Sequence, residues 1–239
     1  MDREGLTERF EIAFNQVHQS LKQLNEFPKN DNFAELLNRS KQKHSIIRFH
    51  FDTLKQYAKL RNAIVHERVR DDYFIATPHE EVVETLEEIS HTLEQPPLAL
   101  TLASEPVIYY RKDSLVSHVL EGFSRYQVAQ FPIYDTGHTY CGLLTSEGVV
   151  RWLHEKGEVG EGVLAEDILE HEREHSIHFL REDSSLFELE EAFEVSFEEG
   201  RKLKAVMITE DGERDRKPLG IVTAWDIFGK MNRYPDGQG

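Results

Sequence analysis

The 239-residue chain has a single cysteine, Cys141. One cysteine closes no intrachain disulfide and builds no cluster of thiolate metal ligands. Long apolar runs are missing too: no stretch approaches the roughly 18 apolar residues of a membrane span. The first ten residues, MDREGLTERF, are charged and lack the apolar run of a secretory signal, so a soluble cytoplasmic protein is expected. Positive charge is scarce. The 28 Lys and Arg face 44 Asp and Glu, and the net charge of −16 disfavours non-specific adhesion to nucleic acid or anionic membrane. Apolar residues make up only 39% of the chain, yet they fall in periodic blocks, which argues for a folded protein rather than a disordered one.

The first part reads as helix. Phe10, Ala13, Phe14, Val17, Leu21 and Leu24 recur at steps of three and four, giving one apolar stripe. Phe27-Pro28 and the polar residues after it stop that helix. Phe33, Leu36 and Leu37 begin a short helix, and Ile46, Ile47, Phe49, Leu54, Tyr57, Leu60, Ile64 and Val65 mark a longer one. Thr77 as N-cap and Pro78 in the first turn predict a further start, with Val82, Val83, Leu86, Ile89 and Leu93 on its buried face. About four helices with short connections predict an antiparallel bundle over residues 1–95.

Gln95-Pro96-Pro97 marks a domain boundary, beyond which short β-rich runs alternate with short helical ones. Residues 98–234 contain an internal repeat, one copy over about 98–156 and the other over about 163–234. The first copy runs from the strand-like Val107–Tyr110 through a helix ending near Phe123. Two strands, Gln130–Asp135 and Tyr140–Thr145, and a helix through Trp152 follow. The second runs from Ile177–Leu180 through a helix ending near Phe193, to strands Ala205–Thr209 and Leu219–Thr223 and a helix over Trp225–Met231. Gly142-Leu-Leu-Thr145 in one copy matches Gly220-Ile-Val-Thr223 in the other. The expected class is α+β and multidomain: a helical bundle followed by two β-α-β-β-α units.

Thr223 and Asp226 are the first candidates for a site. Thr223 ends a strand and Asp226 lies one turn into the next helix, so both can face one cleft. A carboxylate at 226 can accept hydrogen bonds from both hydroxyls of a ribose, and Thr223 can donate to a phosphate or ribose oxygen. The helix start offers further N–H groups. Plain helix capping, Thr at the N-cap and Asp in the first turn, accounts for the same pair. The first copy reads Thr145-Ser146-Glu147-Gly148, with Gly148 in the place of the Asp, so one good site and one degenerate site are expected. Arg125, Arg151 and Lys204 are candidates to hold phosphate.

These repeats resemble CBS domains, through Phe131-Pro132-Ile133-Tyr134-Asp135, the Gly-x-x-Thr strand endings and the complete Thr-x-x-Asp run at Thr223–Asp226. The resemblance implies a regulatory adenine-containing ligand (AMP, ADP, ATP or a related compound), with no other cofactor required. It also implies that Ser176, Ile177, His178, Ala205 and Val206 would read and sandwich the base, with Thr145 in the corresponding first site. The bundle would receive the signal as an effector or dimerisation element, and a homodimer is implied.

Leu60-Arg61-Asn62-Ala63-Ile64-Val65-His66-Glu67 resembles the Arg-Asn-x-x-x-His motif of HEPN domains, small helical bundles of which many dimerise and cleave RNA without metal. That resemblance implies His66 in proton transfer, Arg61 stabilising phosphorane-like charge, and Asn62 orienting one of them or the phosphate. Arg39, Lys41, Lys43, Arg48, Lys55, Lys59, Arg61, Arg68 and Arg70 make segment 39–70 basic, opposed only by Asp52 and Glu67. Such a segment suits an RNA backbone. Structural hydrogen bonding within the bundle accounts for the same residues. Three functions stay open: a ligand sensor, a ligand-regulated ribonuclease and a structural dimerisation scaffold.

Other signals are read as structural. His171-Glu172-Arg173-Glu174-His175 matches the spacing of a zinc protease helix, but it falls between the repeats, just before a strand, and no metal site is expected. Gly157, Gly160 and Gly162 follow a helix rather than a strand and read as a linker. Cys141 is expected to be buried in its strand, and Phe187, Phe193, Phe197 and Trp225 in the core.

Overall fold

The computed structural model describes residues 3–66, 77–172 and 176–230. The chain divides into two compact units, 1–97 and 98–239.

The first unit is helical, with α1 (Arg3–Leu24), α2 (Phe33–Lys43), α3 (Ser45–Phe49), α4 (Phe51–His66) and α5 (Glu80–Glu94). Phe10, Ala13, Phe14, Val17 and Leu21 of α1 are buried with Val83, Leu86, Ile89 and Leu93 of α5, as their spacing requires. Asn32 caps α2, its side chain accepting from the N–H groups of Ala34 and Glu35. The long helix expected from Ile46 onward is two helices. Its backbone breaks at His50, which sits at φ −91° and ψ 9°, in the bridge region outside the helical well. The expected Thr77 cap is also corrected: α5 starts at Glu80 behind His79, whose side chain makes no capping bond. The charged faces close across the unit through Arg9, which donates from both Nε and Nη2 to the Glu87 carboxylate at 2.9 and 2.7 Å.

The second unit holds two three-stranded sheets of the same topology. In one, β1 (Tyr110–Arg111) pairs parallel to β2 (Gln130–Tyr134), which pairs antiparallel to β3 (Tyr140–Thr145). In the other, β4 (Ser176–Arg181) pairs parallel to β5 (Leu203–Thr209), and β5 antiparallel to β6 (Gly220–Val222). The helices α6 (Val116–Tyr126) and α9 (Leu186–Glu198) make the parallel crossovers. Helices α7 (Ser146–Lys156) and α10 (Ala224–Lys230) follow the third strands, and α8 (Ala165–Leu169) lies between the repeats. Among the described residues, the chain is thus an α+β protein, a helical region followed by two β-α-β-β-α units.

The two ladders differ in length for a physical reason. Tyr110 pairs with Ile133 and Arg111 with Tyr134, and the ladder goes no further back. Pro132 has no N–H to give it. In the second sheet Met207 stands at the equivalent position and pairs with Phe179, and the ladder runs on through His178–Val206 and Ile177–Ala205. The strand expected over Val107–Tyr110 is therefore reduced to its last residue.

Each repeat is preceded by a leader segment that crosses to the other repeat. From the first leader, Ala99 donates to the Ser184 carbonyl at 2.8 Å and Ser104 to the Ile221 carbonyl at 2.9 Å. From the second, Ala165 donates to the Ser114 carbonyl at 2.8 Å and Glu166 to the Lys112 carbonyl at 3.0 Å. Ala165 and Ile168 consequently sit in the core of the first repeat, with Val116, Val119, Phe131, Ile133 and Leu144.

Two expectations about burial are corrected. Cys141 is exposed, because a register shift in the β2–β3 ladder pairs Ile133 with Gly142 and Tyr134 with Tyr140, leaving Cys141 unpaired as an extra residue. Phe197 and Trp225 are 84% and 82% exposed, at the end of α9 and the start of α10. Among the described residues no helix is long and apolar enough to cross a membrane.

Candidate functional site

The second Thr-x-x-Asp run folds as its chemistry suggests. Both the backbone N–H and the hydroxyl of Thr223 donate to Oδ2 of Asp226, at 2.8 and 2.7 Å. One carboxylate oxygen is fixed by this pair, while Oδ1 has no hydrogen-bond partner among the described residues. Thr223, Trp225 and Asp226 border a cavity of about 510 Å³. That volume lies within the range of small-molecule sites, ~300–1,000 Å³. Its other walls are Ile108, Tyr126, Phe131 and Pro132, with the polar edges of Ser104 and Gln130. An apolar cleft with one anchored carboxylate suits a flat heteroaromatic group attached to a hydroxylated one.

The walls come from the first repeat and its leader, which sequence alone did not indicate. Ile177, His178, Ala205 and Val206 are not among the described residues lining this cavity, and the side chain of Ser176 lies outside the described residues. They are instead strand residues: Ile177 pairs with Ala205 and His178 with Val206. The neighbouring Lys204 reaches Glu147 of α7 at 3.9 Å, which puts the start of β5 beside the first Thr-x-x-Gly run. Burial holds the His178 imidazole below its ordinary pKa, so it stays neutral at physiological pH. The cavity at the second Thr run thus takes that run from one repeat and its other walls from the other repeat and its leader. The one legible signal was Pro132, whose missing N–H leaves the start of β2 unzipped from β1.

At the first run, Thr145 caps α7 by accepting from the Gly148 N–H at 3.0 Å. Its own N–H donates to Oε1 of Glu172 at 2.6 Å, and its hydroxyl lies 3.0 and 3.1 Å from the two oxygens of that carboxylate. Arg151 donates to Glu172 at 3.0 Å and to the His171 carbonyl at 2.8 Å, so it is an ion-pair partner within the fold. Arg125 lies over the Tyr126 ring, 5.5 Å from its centre. Of the zinc-protease pattern, His171 contacts Glu155 at 3.0 Å and Glu172 holds Thr145, while residues 173–175 lie outside the described residues.

In the helical unit Arg61 and Asn62 border a smaller cavity of about 260 Å³, together with Asn15, His18, Asn32 and Phe33. The side chain of His66, and the basic residues Arg68 and Arg70, lie outside the described residues. Elsewhere in the basic segment, Arg48 donates to the carbonyls of Lys41 and Gln42, and the Lys41 ammonium sits 3.8 Å above the centre of the Phe51 ring.

The architecture and the paired Thr runs define a class of fold, the tandem β-α-β-β-α pair. The family model of the CBS domain matches residues 100–155, which span the first repeat, and the second repeat has the same strand topology. Solved structures similar to part of the chain include a hemolysin-like protein containing a CBS domain from Oenococcus oeni PSU, 14% identical, covering 56% of this chain and 89% of that one, with TM-score 0.42. Another is the CBS domain pair of protein MJ0100 in complex with 5′-methylthioadenosine and S-adenosyl-L-methionine, 20% identical over 56% of this chain and 95% of that one, TM-score 0.42. A third is CBSX2 in complex with AMP, 16% identical over 56% of this chain and 94% of that one, TM-score 0.40. No curated protein matches the chain.

Proposed function

We propose that the chain is a sensor whose second Thr-x-x-Asp run binds an adenine nucleotide as a regulatory ligand of the helical unit. The observation that supports this most is the Asp226 carboxylate, with one oxygen held by Thr223 and the other without a partner among the described residues, beside a cavity of about 510 Å³. Oδ1 accepts from the ribose hydroxyls, Tyr126, Phe131, Pro132 and Trp225 enclose the base, and Thr223 stays the anchor of the carboxylate. Regulation requires that the nucleotide favour one state of the chain over another, by about 1–3 kcal/mol for typical coupling. Calorimetric titration with AMP, ADP, ATP, cyclic di-AMP and S-adenosylmethionine tests the reading. Saturable binding of at least one compound is expected, and binding of none contradicts it.

A second reading, metal-independent RNA cleavage by the helical unit, draws on the shared cavity of Arg61, Asn62 and His18. It predicts RNA cleavage that is lost in Arg61→Ala and in His66→Ala while both variants stay folded. Activity retained in both contradicts it.

A further inference from the structure

Gly148 stands where the second run has Asp226, and a side chain there has no room: a Cβ at Gly148 would run into the Glu172 carboxylate. That carboxylate does to Thr145 what Asp226 does to Thr223. It accepts from the threonine N–H at 2.6 Å and from the hydroxyl at 3.0 Å. The two repeats therefore hold the same threonine–carboxylate pair, one made within a single turn and the other with a residue from the leader of the second repeat. The equivalence goes further. Leu98 bridges to Ser185 as Leu164 bridges to Leu115, and Ala103 packs on Gly220 as Leu169 packs on Gly142. Counted along the leaders from these points, Glu172 occupies the position of Pro106, a wall of the cavity beside Asp226.

The two pairs differ in what they leave open. Asp226 is half-buried and keeps one oxygen without a partner among the described residues. Glu172 has a side chain only 6% exposed, and both of its oxygens are engaged, the second by Arg151 at 3.0 Å. Thr145 itself is buried. On the wall side, the β4–β5 ladder is zipped through Ile177–Ala205, whereas the equivalent residues of β2, beside Asp226, do not pair with β1.

We propose that Glu172 is the chain's own occupant of the first cleft. It supplies the carboxylate missing at position 148 and, clamped by Arg151, closes the cleft to nucleotide. The structural latch stands independently, whereas its consequence, one nucleotide per chain, rests on the function proposed above. A charge removed from one side of the latch can be returned from the other, because Gly148→Asp puts a carboxylate back on the helix in the register of Asp226.

Four full-length proteins test this: the parent, Glu172→Ala, Gly148→Asp and the double variant. Thermal melting reads the latch without any ligand. Each single change lowers the melting temperature by about 5 °C or more, Glu172→Ala by removing the buried carboxylate that Arg151 and Thr145 share, and Gly148→Asp by crowding two carboxylates. The double variant recovers above both. Additive losses in the double variant overturn the latch. Titration with AMP then reads the cleft, with one molecule bound per parent chain and two per chain of the double variant. Two bound by the parent, or one by the double variant, overturns the closure. Failure of the parent to bind AMP or any of the four other compounds overturns the proposed function instead, and leaves the latch to be decided by melting.

Discussion

Thr223 donates twice to a single oxygen of Asp226, from its N–H at 2.8 Å and its hydroxyl at 2.7 Å. This pair starts α10 and shapes the mouth of the cavity at once, so its two roles separate by measurement. Asp226→Ala removes a local cap and is expected to cost about 1 kcal/mol of stability in urea denaturation. The same change is expected to weaken nucleotide binding by about tenfold or more, since a hydrogen bond to a charged group contributes about 1.5–3 kcal/mol. Loss of stability with unchanged affinity would reduce the pair to a cap.

A second cap gives a control distant in sequence from that run. Ser185 accepts from the Glu188 N–H at 3.3 Å while the Glu188 carboxylate accepts from the Ser185 N–H at 2.8 Å, a reciprocal box at the start of α9. Ser185→Ala is expected to cost about 1 kcal/mol, read by urea denaturation, with nucleotide affinity unchanged.

In the helical unit, Glu87 and His50 are two of the groups through which acid acts. The side-chain hydrogen bond from Arg9, against a smaller opposing effect of burial, holds the Glu87 carboxyl below its ordinary value of 4.5. Its contribution is present above that value and is lost as pH falls through the lower folded value. Burial likewise holds the His50 imidazole below its ordinary 6.5. The unfolded chain therefore takes up the His50 proton first, and stability begins to fall below about pH 6.5. Glu87 adds a further loss in the acid range. Melting followed from pH 7.5 down to pH 4 is expected to show a downward slope that is shallower below pH 6.5 in His50→Phe. An unchanged slope in that variant contradicts the assignment.

Leu86 of α5 is fully buried in the first unit. Leu86→Ala is expected to cost about 2–5 kcal/mol through lost transfer energy and the cavity left behind. Helical circular dichroism against urea measures it, and a loss below 1 kcal/mol would mean that the unit collapses around the gap.

The repeat was legible because a Gly-x-x-Thr ending, a short helix and an apolar strand recur in the same order, and the residue at 148 stood out against Asp226. How two copies pair is not written in either copy. The walls beside Asp226 depend on leaders that cross between repeats, held by bonds such as Ser104 to Ile221, which join residues far apart in the chain. The resemblance places the base beside strand residues of the same repeat as the Thr-x-x-Asp run, whereas the cavity beside Asp226 is walled by the other repeat. Glu172 was hidden for a related reason. It lies in a pattern that invites a metal reading, while the need for it is stated elsewhere, by a glycine where a carboxylate was due.

Local irregularities were harder to read. The apolar spacing of Ile46 to Val65 continues across the break at His50, since three- and four-residue steps tolerate one residue out of the helix. Alternation likewise placed Cys141 indoors, because a one-residue bulge in β3 leaves no mark on the pattern that precedes it. Trp225 looks like core by composition, yet it stands exposed on the rim of the cavity.

The central claim is that the Asp226 carboxylate reads the hydroxyls of a ribose. The most direct measurement compares AMP with 2′-deoxy-AMP by calorimetry on the parent and on Asp226→Asn. The asparagine carbonyl can still accept from Thr223, so the fold is kept, but its amide presents donors where the ribose needs an acceptor. The parent is expected to prefer AMP by about tenfold or more, and the variant to lose most of that preference. Equal affinity of the parent for both compounds, or a preference that survives in the variant, would contradict the account.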